Sequence, residues 1–192
     1  MNSVAVAGQI QPVGGVLPAL GPNPLANAIV LIIRHAEKPG QGHGLSPVGK
    51  RRALAYVQYF QQFTVGSAPL NLDYLVAAAD SKESHRPRLT LEPLSQALGL
   101  PIHTPFKDEH FAKLADALRT QPTGKRILIC WHHEEIPHLV DALRFAPEPL
   151  LPGGKWPDAQ FGWVLQLPFD GAGGPLPQAA QRIDENLNLQ NT

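Results

Sequence analysis

The chain has 192 residues, 43% of them apolar, which suffices for one globular domain with a substantial core. Lys and Arg total 16 and Asp and Glu total 16, so the formal charge is zero. That balance lacks the basic footprint of a nucleic-acid or anionic-lipid binder, and a single cysteine excludes a disulfide framework or a cysteine-based zinc finger. No stretch approaches the roughly 18 continuous apolar residues of a membrane span.

The first charged residue is Arg34. Pro12, Pro18, Pro22 and Pro24 punctuate residues 1–28, which lack both the basic start and the unbroken apolar run of a secretory leader. We read 1–28 as a Pro/Gly-rich, uncharged N-terminal arm and 29–192 as a single domain. A cytoplasmic protein is expected.

From there strands and helices alternate. Ile29–Ile33 is a short apolar, β-branched run that suits a buried strand. Ser46 and Pro47 offer an N-cap and a first-turn proline. The helix after them is expected to bury Leu54, Val57 and Phe60. Residues 74–79 predict a second strand. Residues 88–98 predict a helix with Leu91, Leu94 and Leu98 on one stripe. A weak strand at 102–104 precedes an amphipathic helix bearing Phe111, Leu114, Ala115 and Leu118. Ile127–Cys130 predicts a fourth buried strand, followed by a helix carrying Ile136, Leu139, Val140 and Leu143. Residues 146–177 are again rich in Pro and Gly, broken by a strand-like run at 161–167. The alternation predicts a three-layer α/β fold, a mainly parallel sheet flanked by helices.

In such sheets ligands bind beyond the carboxyl ends of the strands, and the reactive residues gather there. The first strand runs into Arg34-His35-Ala36-Glu37-Lys38 and the second into Asp80 through Arg86. The third runs toward Lys107-Asp108-Glu109-His110 and the fourth into His132-His133-Glu134-Glu135. The inventory is arginine, histidine, lysine and carboxylate. Guanidinium forks match phosphoryl oxygens, and a neutral imidazole is a competent nucleophile near pH 7. The pattern suggests phosphoryl transfer through a phosphohistidine, with a carboxylate near the third strand to protonate the leaving oxygen.

Rival motifs fail. Gly44-x4-Gly49-Lys50 imitates a phosphate-binding loop, but Arg51 stands where Ser or Thr should hold Mg²⁺. Cys130 has Ile136 where a cysteine phosphatase needs arginine. His133-Glu134 is followed by His138, one place late for a zinc-binding helix. No metal or other cofactor is expected.

These blocks resemble the histidine phosphatase superfamily, the phosphoglycerate-mutase-like proteins, and a small bacterial-type member of it. Arg34-His35-Ala36 is similar to the family's Arg-His-Gly/Ala signature. Leu45-Ser46-Pro47-Val48-Gly49 with Arg52-Ala53 is similar to its first helix start. Ser81 through Arg86 with Thr90 through Leu94 resembles its second-arginine segment, and Ile127 through His132 with Ile136-Pro137 its second-histidine segment. Trp131 and Pro87 depart from the pattern, where a small residue and Ala are common.

The resemblance implies a phosphoglycerate-mutase-like fold. It makes His35 the nucleophile, and makes Arg34, Arg86 and His132 the groups that hold the phosphoryl oxygens. Glu109 is taken as the general acid, with Asp108 the alternative. The expected activity is metal-independent hydrolysis of a small phosphomonoester, without nucleic-acid or membrane partners. The alternatives are a protein phosphohistidine phosphatase and a catalytically silent phosphate-binding module.

Overall fold

A computed structural model describes residues 25–121, 123–187 and 189, so most of the N-terminal arm lies outside the described residues. In chain order the elements are β1 (Ile29–Arg34), α1 (Pro47–Gln61), β2 (Thr64–Val65), β3 (Ala68–Pro69), β4 (Tyr74–Ala77) and α2 (Arg86–Leu98). There follow β5 (Ile102–His103), α3 (Phe111–Leu118), β6 (Arg126–Trp131), α4 (Ile136–Ala142), β7 (Trp163–Pro168) and β8 (Gln181–Asp184). A 3₁₀ turn, Asp108–His110, leads into α3.

Six strands form one sheet in the order β5-β4-β6-β1-β7-β8, while β2 and β3 make a separate small hairpin. β5, β4, β6 and β1 are parallel, and β7 joins β1 antiparallel. Side chains alternate across the sheet. Val30, Ile32, Val76, Ile127, Ile129 and Leu165 face α3 and α4. Leu31, Ile33, Leu75, Leu128, Cys130 and Val164 face α1 and α2. Both faces are covered, which is why the central strands read as unbroken apolar runs. This is the expected three-layer fold.

The helix starts follow local chemistry. The Ser46 hydroxyl accepts from the Gly49 amide at 3.0 Å, and Pro47 occupies the first turn. Gly99 ends α2 in the left-handed conformation, φ 66°, that favours glycine.

Three features differ from the expectation. The buried face of α1 is Gly49, Arg52, Ala53, Tyr56 and Phe60, whereas Leu54 is 62% exposed. Phe60 is buried as expected, and hydropathy missed the rest of this face because an arginine lies in it. β8 and the β2–β3 hairpin, too polar or too short to show a period, also went unread. Finally, Leu25 and Ala28, assigned by sequence to the arm, are buried in the cluster beneath α3 and α4.

Candidate active site

The register of β1 on β6 brings the two key segments together. Arg34 pairs with Trp131, and the His35 amide continues the ladder by donating to the Trp131 carbonyl at 3.0 Å. The residues that leave the two strands, His35 and His132, therefore emerge side by side. Their rings meet edge to face with centroids 4.9 Å apart.

His35 is 3% exposed. Its Nδ1 lies 2.7 Å from the Ala36 carbonyl oxygen, which can only accept, so Nδ1 carries the proton. Nε2 is left with the lone pair. Burial, above all, drives the pKa down to about 2. The Ala36 carbonyl opposes this, and His132, Arg86 and Arg34 add to it. The imidazole is therefore neutral across the physiological range.

Arg34, also 3% exposed, is anchored at one corner. Its Nη1 donates to the carbonyls of Asp158 at 2.6 Å, Gln160 at 3.0 Å and Pro157 at 3.3 Å. Its guanidinium carbon lies 3.9 Å from the centroid of the Phe161 ring. Burial lowers its pKa to about 10, against Asp158 and Glu37, so it stays cationic at neutral pH.

Arg86 opens α2. Burial lowers its pKa, and its charge disfavours protonation of both His35 and His132. The Nε atoms of Arg34 and Arg86 are both buried without a hydrogen-bond partner among the described residues. A buried donor left without a partner costs about 1–3 kcal/mol. Two of them beside a neutral imidazole suit an oxyanion.

His132 is half-buried. Burial lowers its pKa, Asp108 raises it, and Arg86 and His133 lower it further. His133 turns elsewhere, to Asp158 Oδ1 at 3.0 Å. The structure thus brings His35, His132, Arg34 and Arg86 together.

Glu109 is not brought in with them. The 3₁₀ turn rotates successive side chains by about a third of a turn, leaving Glu109 exposed and Asp108 half-buried. Its own backbone N–H, then the Asp108 carboxyl, hold the Glu109 carboxyl below the usual carboxylate range. That favours the ionised form rather than a proton donor. Of the two carboxyls, it is Asp108 whose charge acts on His132, where with Glu134 it raises the pKa against burial, Arg86 and His133.

Sequence reasoning named Thr90 and Trp131 only as motif positions and missed what they hold. Thr90 receives the Ala36 amide on its hydroxyl at 2.9 Å and donates to the Arg86 carbonyl at 2.7 Å, so it ties the nucleophile's loop to α2. Trp131, noted only as a departure, donates its indole N–H to the Asp108 carbonyl at 3.1 Å and so pins the acidic turn to β6. Phe161 opens the strand-like run read from sequence, but neither it nor the 157–160 carbonyls was expected to anchor Arg34. Glu135, one turn beyond His132, has its pKa raised chiefly by burial. Two surface hollows along α1, of about 430 and 560 Å³, share no lining residue with this cluster. Among the described residues no three His, Cys, Asp or Glu side chains group as a metal site. No described helix is long and apolar enough to cross a membrane.

No protein-family profile and no curated protein matches the sequence. Solved structures do. A phosphoglycerate mutase from Plasmodium falciparum superposes with a TM-score of 0.55 at 12% identity, covering 87% of this chain and 96% of the other. An Agrobacterium tumefaciens protein assigned as the phosphohistidine phosphatase SixA gives 0.50 at 17% identity, covering 81% and 96%. Both are histidine phosphatase superfamily proteins. The likeness is one of fold: the chain has the phosphoglycerate-mutase-like α/β fold that its motifs implied.

Proposed function

We propose that the protein is a phosphatase that hydrolyses a phosphomonoester through a phosphohistidine on Nε2 of His35. One observation carries the reading. The Nδ1–H of His35 is held by the Ala36 carbonyl, which leaves Nε2 unprotonated beside two arginines whose buried Nε donors have no partner among the described residues.

In the first step the Nε2 lone pair attacks phosphorus, and the bond to the ester oxygen breaks. That oxygen leaves with a proton from a carboxyl of the Asp108–Glu109 turn. The half-burial of Asp108 and its electrostatic pull on His132 favour it for this role over Glu109. The free edges of Arg34 and Arg86, and an N–H of His132, stabilise the charge on the transferring group. In the second step the carboxylate takes a proton from water, whose oxygen attacks phosphorus. Nε2 leaves with its electron pair, and inorganic phosphate departs. The two guanidinium groups supply the positive charge this chemistry needs, so no metal enters the scheme. The substrate is a small phosphorylated molecule, and the setting is the cytoplasm.

A second reading, a protein phosphohistidine phosphatase, is favoured by the exposed Glu109 with its lowered pKa. A nitrogen leaving group can be protonated without a dedicated carboxylic acid.

The test is rapid mixing with a labelled phosphoester, a quench in alkaline detergent, and a search for label on the protein that survives alkali and is released by acid. We expect label on the wild type and none on a folded His35→Ala, with turnover down by several powers of ten. Tight phosphate binding without label would make the protein a silent binding module. A His35→Ala rate above about a tenth of wild type would overturn the nucleophile.

A further inference from the structure

Two residues beyond His35, Glu37 enters a buried charged network. Arg52 of α1 forks onto it, with Nε 3.1 Å from both carboxylate oxygens and Nη2 2.8 Å from Oε1. Arg52 Nη1 reaches Glu185 Oε2 at 2.6 Å, and the Tyr56 hydroxyl donates to Glu185 Oε1 at 2.7 Å. Arg52, Tyr56 and Glu185 are buried. Burial opposes the charge on Arg52, but the hydrogen bond to Glu37 and the neighbouring acidic groups hold it firmly protonated. Burial lifts Glu185 to about 7 against the pull of Arg52 and Tyr56.

Stability alone does not account for such a network, because replacing buried ion pairs with apolar side chains is often neutral or stabilising. What it grips is more telling. The Ala36 amide is pinned by Thr90, and the Glu37 carbonyl accepts from the Ser46 amide at 2.9 Å. The Glu37 carboxylate is held by Arg52. Between these pins lies the Ala36 carbonyl that holds the proton of His35.

We propose that Arg52 is a positioning residue for the nucleophile: by gripping Glu37 it fixes the Ala36–Glu37 peptide, whose carbonyl keeps the proton of His35 on Nδ1 and the lone pair on Nε2. The inference rests on His35 being the nucleophile of the reaction proposed above. Arginine suits the place because Nε and Nη2 fork onto Glu37 while Nη1 reaches Glu185, a fixed geometry that a compact ammonium cannot reproduce.

The test is Arg52→Lys, which keeps a cation between the two acids, with Glu37→Gln as a milder companion. Misplacing a reacting group by ~1 Å can cost about 10²-fold. We expect kcat for Arg52→Lys to fall about 10- to 100-fold, with KM and the Kd for inorganic phosphate within about twofold. Glu37→Gln, which keeps an acceptor oxygen, should fall less. Long-range ¹⁵N–¹H spectra should show one His35 tautomer, protonated at Nδ1, in the wild type and a mixture in Arg52→Lys. A folded Arg52→Lys with wild-type kcat and a single His35 tautomer overturns the proposal. So does a loss of rate that only follows the fraction unfolded in thermal melts. If Arg52→Lys does not fold, Glu37→Gln decides by the same two readouts. The tautomer spectra need no turnover, so a wild type that takes no label from the phosphoester sinks the proposed function while the role of Arg52 is still read.

Discussion

A Cβ on Gly49 would fall 2.5 Å from the carbonyl oxygen of Glu37 and 3.0 Å from its amide nitrogen. The start of α1 is thus seated directly against the loop that follows His35, and only glycine permits that approach. Overpacking of this kind costs about 1–3 kcal/mol. Gly49→Ala should therefore lower the melting temperature by about 2–10 °C and reduce turnover by displacing Glu37. Gly40→Ala, where a Cβ meets nothing within 4 Å, is the matched control. Equal melting and equal rates for the two variants would show that the contact is slack.

The neutrality of His35 has a defined pH signature. Its pKa is about 2 in the fold and about 6.5 in the open chain. Between those values the unfolded state binds the extra proton, so stability falls as pH falls through the window. The contribution of this one group approaches about 1.4 kcal/mol per pH unit. Glu185, with its pKa raised to about 7, tilts the curve the other way, but it is common to wild type and a His35→Asn variant and cancels in their difference. Urea melts at pH 7 and 5 should show wild type losing more stability on acidification than His35→Asn. Parallel losses would mean that the imidazole charges freely in the folded protein.

The acid is read by leaving group. A general acid contributes about 10²–10⁴-fold when the leaving group is poor, and far less when it departs easily. Asp108→Asn should slow an alkyl phosphate strongly and leave p-nitrophenyl phosphate nearly unchanged, while Glu109→Gln alters neither. The reverse pattern would return the role to Glu109. Indifference of both substrates to both variants would strengthen the phosphohistidine-phosphatase reading.

Much of this architecture was legible in the chain. Ile29–Ile33 and Ile127–Cys130 read as buried strands because both sheet faces are covered, and an apolar run has no other stable home. Ser46-Pro47 marked the start of α1 through capping chemistry that is local. Arg34-His35 and His132 fell at strand ends, where an α/β sheet presents its ligands, so their approach followed from topology.

Other features depend on which residues meet across the fold, and hydropathy carries no record of that. Arg52 sits in a buried helix face because Glu37, 15 residues away, and Glu185, 133 residues away, neutralise it; by pattern alone the face of Leu54 was the one expected to be buried. Arg34 is anchored by carbonyls more than 120 residues later, on a Pro/Gly-rich segment without a period. Asp108 and Glu109 are adjacent and chemically alike. Only the 3₁₀ turn, tied to β6 by the Trp131 indole on the Asp108 carbonyl, decided which of them is half-buried and acts on the charge of His132. The sequence determined the elements and the chemical inventory, because those follow from local propensity and burial. The tertiary structure decided which groups of that inventory keep a free edge, a lone pair or a shifted pKa, because these properties arise from partners that meet only in the fold.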